Sequence, residues 1–261
     1  MKRSIATSCV MALGAAVAVS LGSPAIGATM SFQEDVTNGG SYQAGAAYID
    51  NNSPDTVFDN ASAFVGAITP STRITRVLLS FDLSSLPAGA TVDSVTLNMK
   101  ARSEDGSSTS EDHSITLHEL TTPFVESEAT WNSASTGNAW TAAGGDFDAT
   151  VLSSVVANPT TLAEGDTLAF TSSPDLVSLA QSVADSDGTI YLLLDSDSNN
   201  DDDRGLFRLW ADDLNPDTNP DPSVAHPELV VEFTQIPEPA SIVLALFGAC
   251  ALGFVGARKA V

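Results

Sequence analysis

Asp195, Asp197, Asn199 and Asp201 alternate along one stretch of the chain, each separated from the next by a single residue. Hard oxygen donors at every second position can wrap one Ca²⁺. Asn200 stands where an EF-hand loop needs glycine, and Leu206 where it needs a bidentate glutamate, so the stretch is not an EF-hand. A solvated acidic loop is the competing reading. Asp146 and Asp148, joined by Asp50, make a second candidate metal set, against turn chemistry around Gly144-Gly145. Trp131, Trp140 and Trp210 could stack on sugar rings, because an aromatic face is flat and apolar. Trp131 and Trp140 are expected to pack inward. Trp210 flanks a loop and, with Arg208, is the expected carbohydrate contact; Arg204 and Arg208 could equally serve to neutralise the acidic stretch.

Catalytic chemistry has little to stand on. His113, His118 and His226 show no metal or triad spacing. There is no nucleophile elbow, P-loop or dinucleotide fingerprint. Glu126 and Glu128 form a carboxylate pair, but a glycosidase needs two carboxyls at a set distance in a cleft. Both cysteines, Cys9 and Cys250, sit in the end segments, so thiolate zinc sites and a cysteine nucleophile are excluded from the middle of the chain.

The two ends read as processing segments. Met1-Lys2-Arg3 is basic, residues 5–19 are apolar and small, and Ile26-Gly27-Ala28 offers a small-residue exit. That is the pattern of a secretory signal peptide over residues 1–28, with cleavage expected after Ala28 and export through the Sec pathway; the rival, an N-terminal membrane anchor, would need a longer apolar run of ~20 residues. At the other end stand Pro237-Glu238-Pro239, then 18 uncharged residues, then Arg258-Lys259. The prolines keep their segment extended, a shape that a protease-like site can grip. Eighteen residues make ~27 Å of helix, close to the ~30 Å hydrocarbon core. Arg258 and Lys259 would remain cytoplasmic. A plain membrane anchor is the rival reading of this segment.

Four of the ten basic residues (Lys2, Arg3, Arg258, Lys259) and one of the 33 acidic ones (Glu238) lie in these ends. Residues 29–236 therefore carry six basic and 32 acidic residues, a net charge of −26. Such a surface repels nucleic acid and anionic lipid and favours divalent cations.

The elements that must position the candidate residues are mostly strands. Val77, Leu79 and Phe81 alternate with polar or outward neighbours, as do Val95, Leu97 and Met99, Ile115 and Leu117, and Leu229, Val231 and Phe233. A period of two marks half-buried strands. Residues 190–194 form a continuous apolar run and a fully buried strand. One short helix is expected over residues 173–184, with Asp175 in its first turn and Leu176, Leu179, Ala180 and Val183 on one side. Residues 137–148 and 195–227 are polar enough to be loops, the second interrupted by the apolar 206–210. The expected fold is an all-β antiparallel sandwich of jelly-roll type with one short helix, flanked by the signal peptide and a C-terminal transmembrane sorting helix.

Three segments in order resemble the DNRLRE domains of secreted proteins, which are related to disaggregatase repeats and some carbohydrate-binding modules. They are Ala47-Tyr48-Ile49-Asp50-Asn51-Asn52-Ser53-Pro54-Asp55-Thr56, Arg76-Val77-Leu78-Leu79-Ser80-Phe81-Asp82-Leu83-Ser84-Ser85-Leu86-Pro87-Ala88-Gly89-Ala90, and Ala129-Thr130-Trp131-Asn132-Ser133 with Trp140 and Gly144-Gly145-Asp146-Phe147-Asp148. The match spans roughly residues 45–234. Ser80, Trp210-Ala211-Asp212 and His226-Pro227 depart from it where the family often carries basic or more polar groups, which disfavours an anionic glycan. The tail, residues 237–261, resembles the PEP-CTERM sorting signal of Gram-negative bacteria. That resemblance implies an exosortase as processing partner, transient anchoring in the inner membrane, and cutting within residues 237–240. The resulting expectation is a non-catalytic exported surface or matrix protein that contacts exopolysaccharide and carries a structural Ca²⁺. The alternatives are a polysaccharide-degrading enzyme akin to disaggregatases and a purely structural biofilm or envelope protein.

Overall fold

The computed structural model of the chain describes residues 26–34, 42, 44–58, 62–69, 73–103, 111–186, 188–199, 204–211 and 226–235. These all fall in one unit, Ile26–Ile236. Residues 1–25, Asp201, Pro237, Glu238, Pro239, Arg258 and Lys259 lie outside the described residues, as does the apolar stretch 240–257. Among the described residues no helix is long and apolar enough to cross a membrane.

The strands run β1 (Ile26–Gln33), β2 (Gly45–Asp50), β3 (Ser62–Thr69), β4 (Arg73–Asp82), β5 (Thr91–Ser103), β6 (His113–Glu119), β7 (Ser133–Ser135), β8 (Asn138–Ala139), β9 (Ser153–Ala157) and β10 (Thr167–Phe170). Helix α1 (Pro174–Ala184) follows, then β11 (Thr189–Ser196), β12 (Leu206–Trp210) and β13 (Glu228–Gln235). The fold is mostly β, antiparallel throughout, with one short α-helix.

The hydrogen-bonded path is β1-β13-β5-β12-β3-β4-β11-β6-β9, with β10 also on β5, β2 also on β4, and β7-β8 a separate hairpin. Two long strands let this path curl. The first part of β5 pairs with β13 from Thr91 to Asn98, while Ala101 and Ser103 pair with β12. Likewise β4 pairs with β3 from Arg73 to Thr75 and with β11 from Val77 to Asp82. Strands β3 and β12 therefore form the turn between the β13-side and β11-side stretches of one curled sheet.

The alternating residues meet inside the curl. Val77, Leu79 and Phe81, Val95, Leu97 and Met99, Ile115 and Leu117, and Leu229, Val231 and Phe233 all belong to one buried cluster. Helix α1 adds Leu176 and Ala180, with Val177, Leu179 and Val183 packed against it. The helix starts where the sequence signals it: the Ser173 hydroxyl accepts from the Leu176 amide at 3.1 Å, Pro174 opens the first turn and Asp175 complements the N-terminal dipole.

One feature departs from the half-buried expectation. Strand β2 is buried at every position, and Leu78 on β4 and Leu193 on β11 are also fully covered. Their outer face carries a second cluster: Ala47, Ile49, Leu78 and Leu193 beneath Leu120, Phe124, Ala129, Ala134 and Trp140. The segment 120–148 is thus a cover rather than a plain connection. Strand β11 extends to Ser196, and the acidic residues after it begin with a 3₁₀ turn, Asp197–Asn199. The apolar 206–210 is itself a strand, β12, paired on both sides.

Candidate functional site

Arg76 occupies the outer face of β4, in phase with Leu78 and opposite to Val77. Asp195 lies in phase with Leu193 on β11, and the pairing of Leu194 with Val77 brings the two charges together. Arg76 Nη2 meets Asp195 Oδ2 at 3.2 Å, with both side chains mostly covered. Arg76 Nη1 donates to the Gly144 carbonyl at 2.9 Å. The guanidinium also lies 5.4 Å from the Trp131 ring centroid and 4.9 Å from that of Phe147. One arginine therefore links two strands to the cover through an ion pair, a hydrogen bond and two cation–π contacts.

The cover is built to fit that arginine. Gly144 and Gly145 both have φ of 98°. A Cβ on Gly144 would come within 2.7 Å of Arg76 Nη1 and 2.8 Å of Trp131, so glycine is required by both backbone shape and space. Asp146 shapes the same turn. Its carboxylate accepts from the amides of Thr141 and Ala142 and from the Thr122 hydroxyl. Partial burial works against its charge, but these hydrogen bonds prevail and hold its pKa below the usual carboxylate range. Asp148 is likewise lowered, by the Thr150 hydroxyl and amide, and its carbonyl receives the His118 ring at 3.0 Å. The Trp140 indole donates to the Thr130 carbonyl at 2.9 Å, so this buried ring carries no open polar group.

Asp50 stands elsewhere. It is fully buried, pairs with Arg73 at 2.6 Å and accepts from the Asn52 amide at 2.8 Å. Beside it the Tyr48 phenol is pushed up to about 12, first by burial and then by the Asp50 charge. In the acidic stretch, Asn199 Nδ2 donates to Asp195 Oδ1, while Asp197 Oδ2 accepts from the Ser114 amide and its Oδ1 lies 3.4 Å from His113 Nδ1. Asn199 is buried and its Oδ1 has no hydrogen-bond partner among the described residues. Among the described residues no three acidic, histidine or cysteine side chains converge on one point.

The expected sugar contacts sit on the turn of the curl. Arg208 and Trp210 share the outward face of β12, opposite to Phe207 and Leu209 of the main core. Trp210 is only 3% exposed, with the Arg102 guanidinium 4.6 Å over its ring, and Arg208 lies 5.7 Å over Phe64. Arg102 has its pKa lowered by burial and then by the Arg208 charge, so the two cations are neighbours. Glu126 and Glu128 each hold backbone: Glu126 accepts from the Ala46 amide and Glu128 from the Thr136 amide. No motif in the sequence marks Arg76. Its signal was scarcity, because an arginine in so acidic a chain has many possible partners and its choice marks a built contact.

The last strand, β13, ends at Gln235, two residues before the Pro-Glu-Pro segment. Residues 235–259 match the PEP-CTERM protein-sorting motif. The motif indicates an exported, envelope-targeted protein that an exosortase processes. No curated protein matches the chain.

Proposed function

We propose that this chain is a non-catalytic surface or extracellular-matrix protein on a DNRLRE-like jelly-roll sandwich, exported by the Sec pathway of a Gram-negative cell. Residues 240–257 hold it in the inner membrane until an exosortase cuts near the Pro-Glu-Pro segment. The match over residues 235–259 carries this reading. The sandwich is supported by the curl of the sheet around one core with its helix at the rim.

The polysaccharide contact is assigned to the outward face of β5 and β12. Of the six basic residues within 29–236, Lys100, Arg102, Arg204 and Arg208 lie on these strands or directly before β12. Arg102 and Arg208 lie over the Trp210 and Phe64 rings on this face, and guanidinium donors suit the hydroxyl acceptors of a sugar. A glycan array on residues 29–236 tests this. Binding that falls about ten-fold in Arg102→Ala/Arg208→Ala supports it. No glycan hit would leave a purely structural role, and shortened products from a hit would make the protein an enzyme.

A structural Ca²⁺ at Asp195, Asp197, Asn199 and Asp201 is a second proposal, favoured by the buried, unpartnered Asn199 Oδ1. Millimolar Ca²⁺ is expected to raise the melting temperature over chelator; an unchanged value removes the idea.

A further inference from the structure

The two processed ends meet in one strand pair. β1 and β13 are antiparallel partners, with Ile26 opposite Gln235, Gly27 opposite Thr234 and Ala28 opposite Phe233. These three rungs join the expected end of the signal peptide to the stem of the sorting motif, whose match opens at Gln235.

The opposite edge of β13 holds this stem less completely. Phe233 pairs with Val92 and Thr234 with Thr91, but a bulge separates them from the ladder below, between Glu232 and Phe233. Among the described residues, Gln235 has no register partner on β5, so Ile26 is its sole strand partner. Phe233 is anchored in the core, whereas the outer stretch of β1 is exposed, Ile26 by 57%.

We propose that β1 is a clasp over the sorting stem, and that sorting cleavage follows removal of Ile26–Ala28. The proposal rests on the exosortase reading above. While the clasp is closed, Phe233 and Thr234 have both strand edges occupied. A processing enzyme that takes its substrate as an extended strand has no open edge to pair with on the β1 side of this stem. Hydrolysis after Ala28 consumes one water, leaving a carboxylate on Ala28 and an amine on Thr29. Ile26–Ala28 then depart with the signal peptide. Gln235 loses its partner, and the outer edge of Phe233–Gln235 opens. The enzyme next breaks a peptide bond within residues 237–240; its carbonyl passes to an acceptor amine or to water, and its nitrogen leaves on the tail. The rest of β1, including the fully buried Phe32, stays in place.

The test uses the full chain in its producing cell. A foreign signal peptide with its own cleavage site is fused directly before Ile26 or before Thr29, and loss of the tail is followed by pulse-chase and intact mass. The Thr29 form is expected to lose its tail about ten-fold faster, the factor that one to two net backbone hydrogen bonds are worth. A flexible insertion between Gln235 and Pro237 should restore the fast rate to the Ile26 form, because it moves the motif away from the clasp. Equal rates, or an insertion without effect, overturn the clasp while leaving the sorting reading intact. No cleavage in any form overturns both. Hydrogen exchange on tail-less proteins starting at Ile26 and at Thr29 gives an independent reading: faster exchange at Thr234 and Gln235 in the Thr29 form supports the clasp, and equal protection contradicts it.

Discussion

Arg76 makes its contacts with Asp195, Gly144, Trp131 and Phe147 from one side chain, so its removal strands several groups at once. Arg76→Ala should cost about 2–4 kcal/mol, less than a fully buried pair because some solvent reaches both ends. In a double-mutant cycle with Asp195→Ala by urea unfolding, the pair should couple by about 1 kcal/mol or more; additive losses would deny the link. The lowered carboxylates give a second residue-scale prediction. Asp146 and Asp148 have folded pKa values below their unfolded ones. Their stabilisation is therefore present above the unfolded value of ~3.9 and is lost as pH falls through the folded values. Melting temperature should fall between pH 5 and pH 2, and Asp146→Asn should flatten the Asp146 share of that fall. The acids at 146 and 148 were legible as turn formers from Gly144-Gly145 beside them. Arg76 was not legible as their neighbour, because its partners lie 55 to 119 positions away in the chain and only strand register brings them together.

At the scale of elements, the alternating strands were readable from their period of two and α1 from its own cap. Ser173, Pro174 and Asp175 mark the helix start within a few residues. The cover was not readable. Trp140 lies buried as expected, but residues 137–148 otherwise look polar, and the burial of Gly145 was not signalled: this segment lays a few groups on β2, β4 and β11 and turns the rest outward. A segment without period two or 3.6 gives a pattern argument nothing to count. Gly144→Ala tests how closely the cover is fitted. With φ at 98° and two contacts under 3 Å, the substitution should destabilise by about 2 kcal/mol and raise protease cutting within 120–148. An unchanged midpoint and digestion pattern would mean that the cover yields freely.

For the whole molecule, a curled antiparallel sheet goes with a net charge of −26 over residues 29–236, and its most specific feature is its destination. The local sequence shows that much, because a Pro-Glu-Pro segment, an apolar run and a basic end in that order need no tertiary context. The curl itself depended on where β4 and β5 change partners, which no local pattern encodes. The tail acts as an address that is removed after export. Intact mass of the protein released by the cell tests it most directly. The released chain is expected to begin at Thr29 and end within residues 237–240. A released form that still carries residues 240–261 would contradict it.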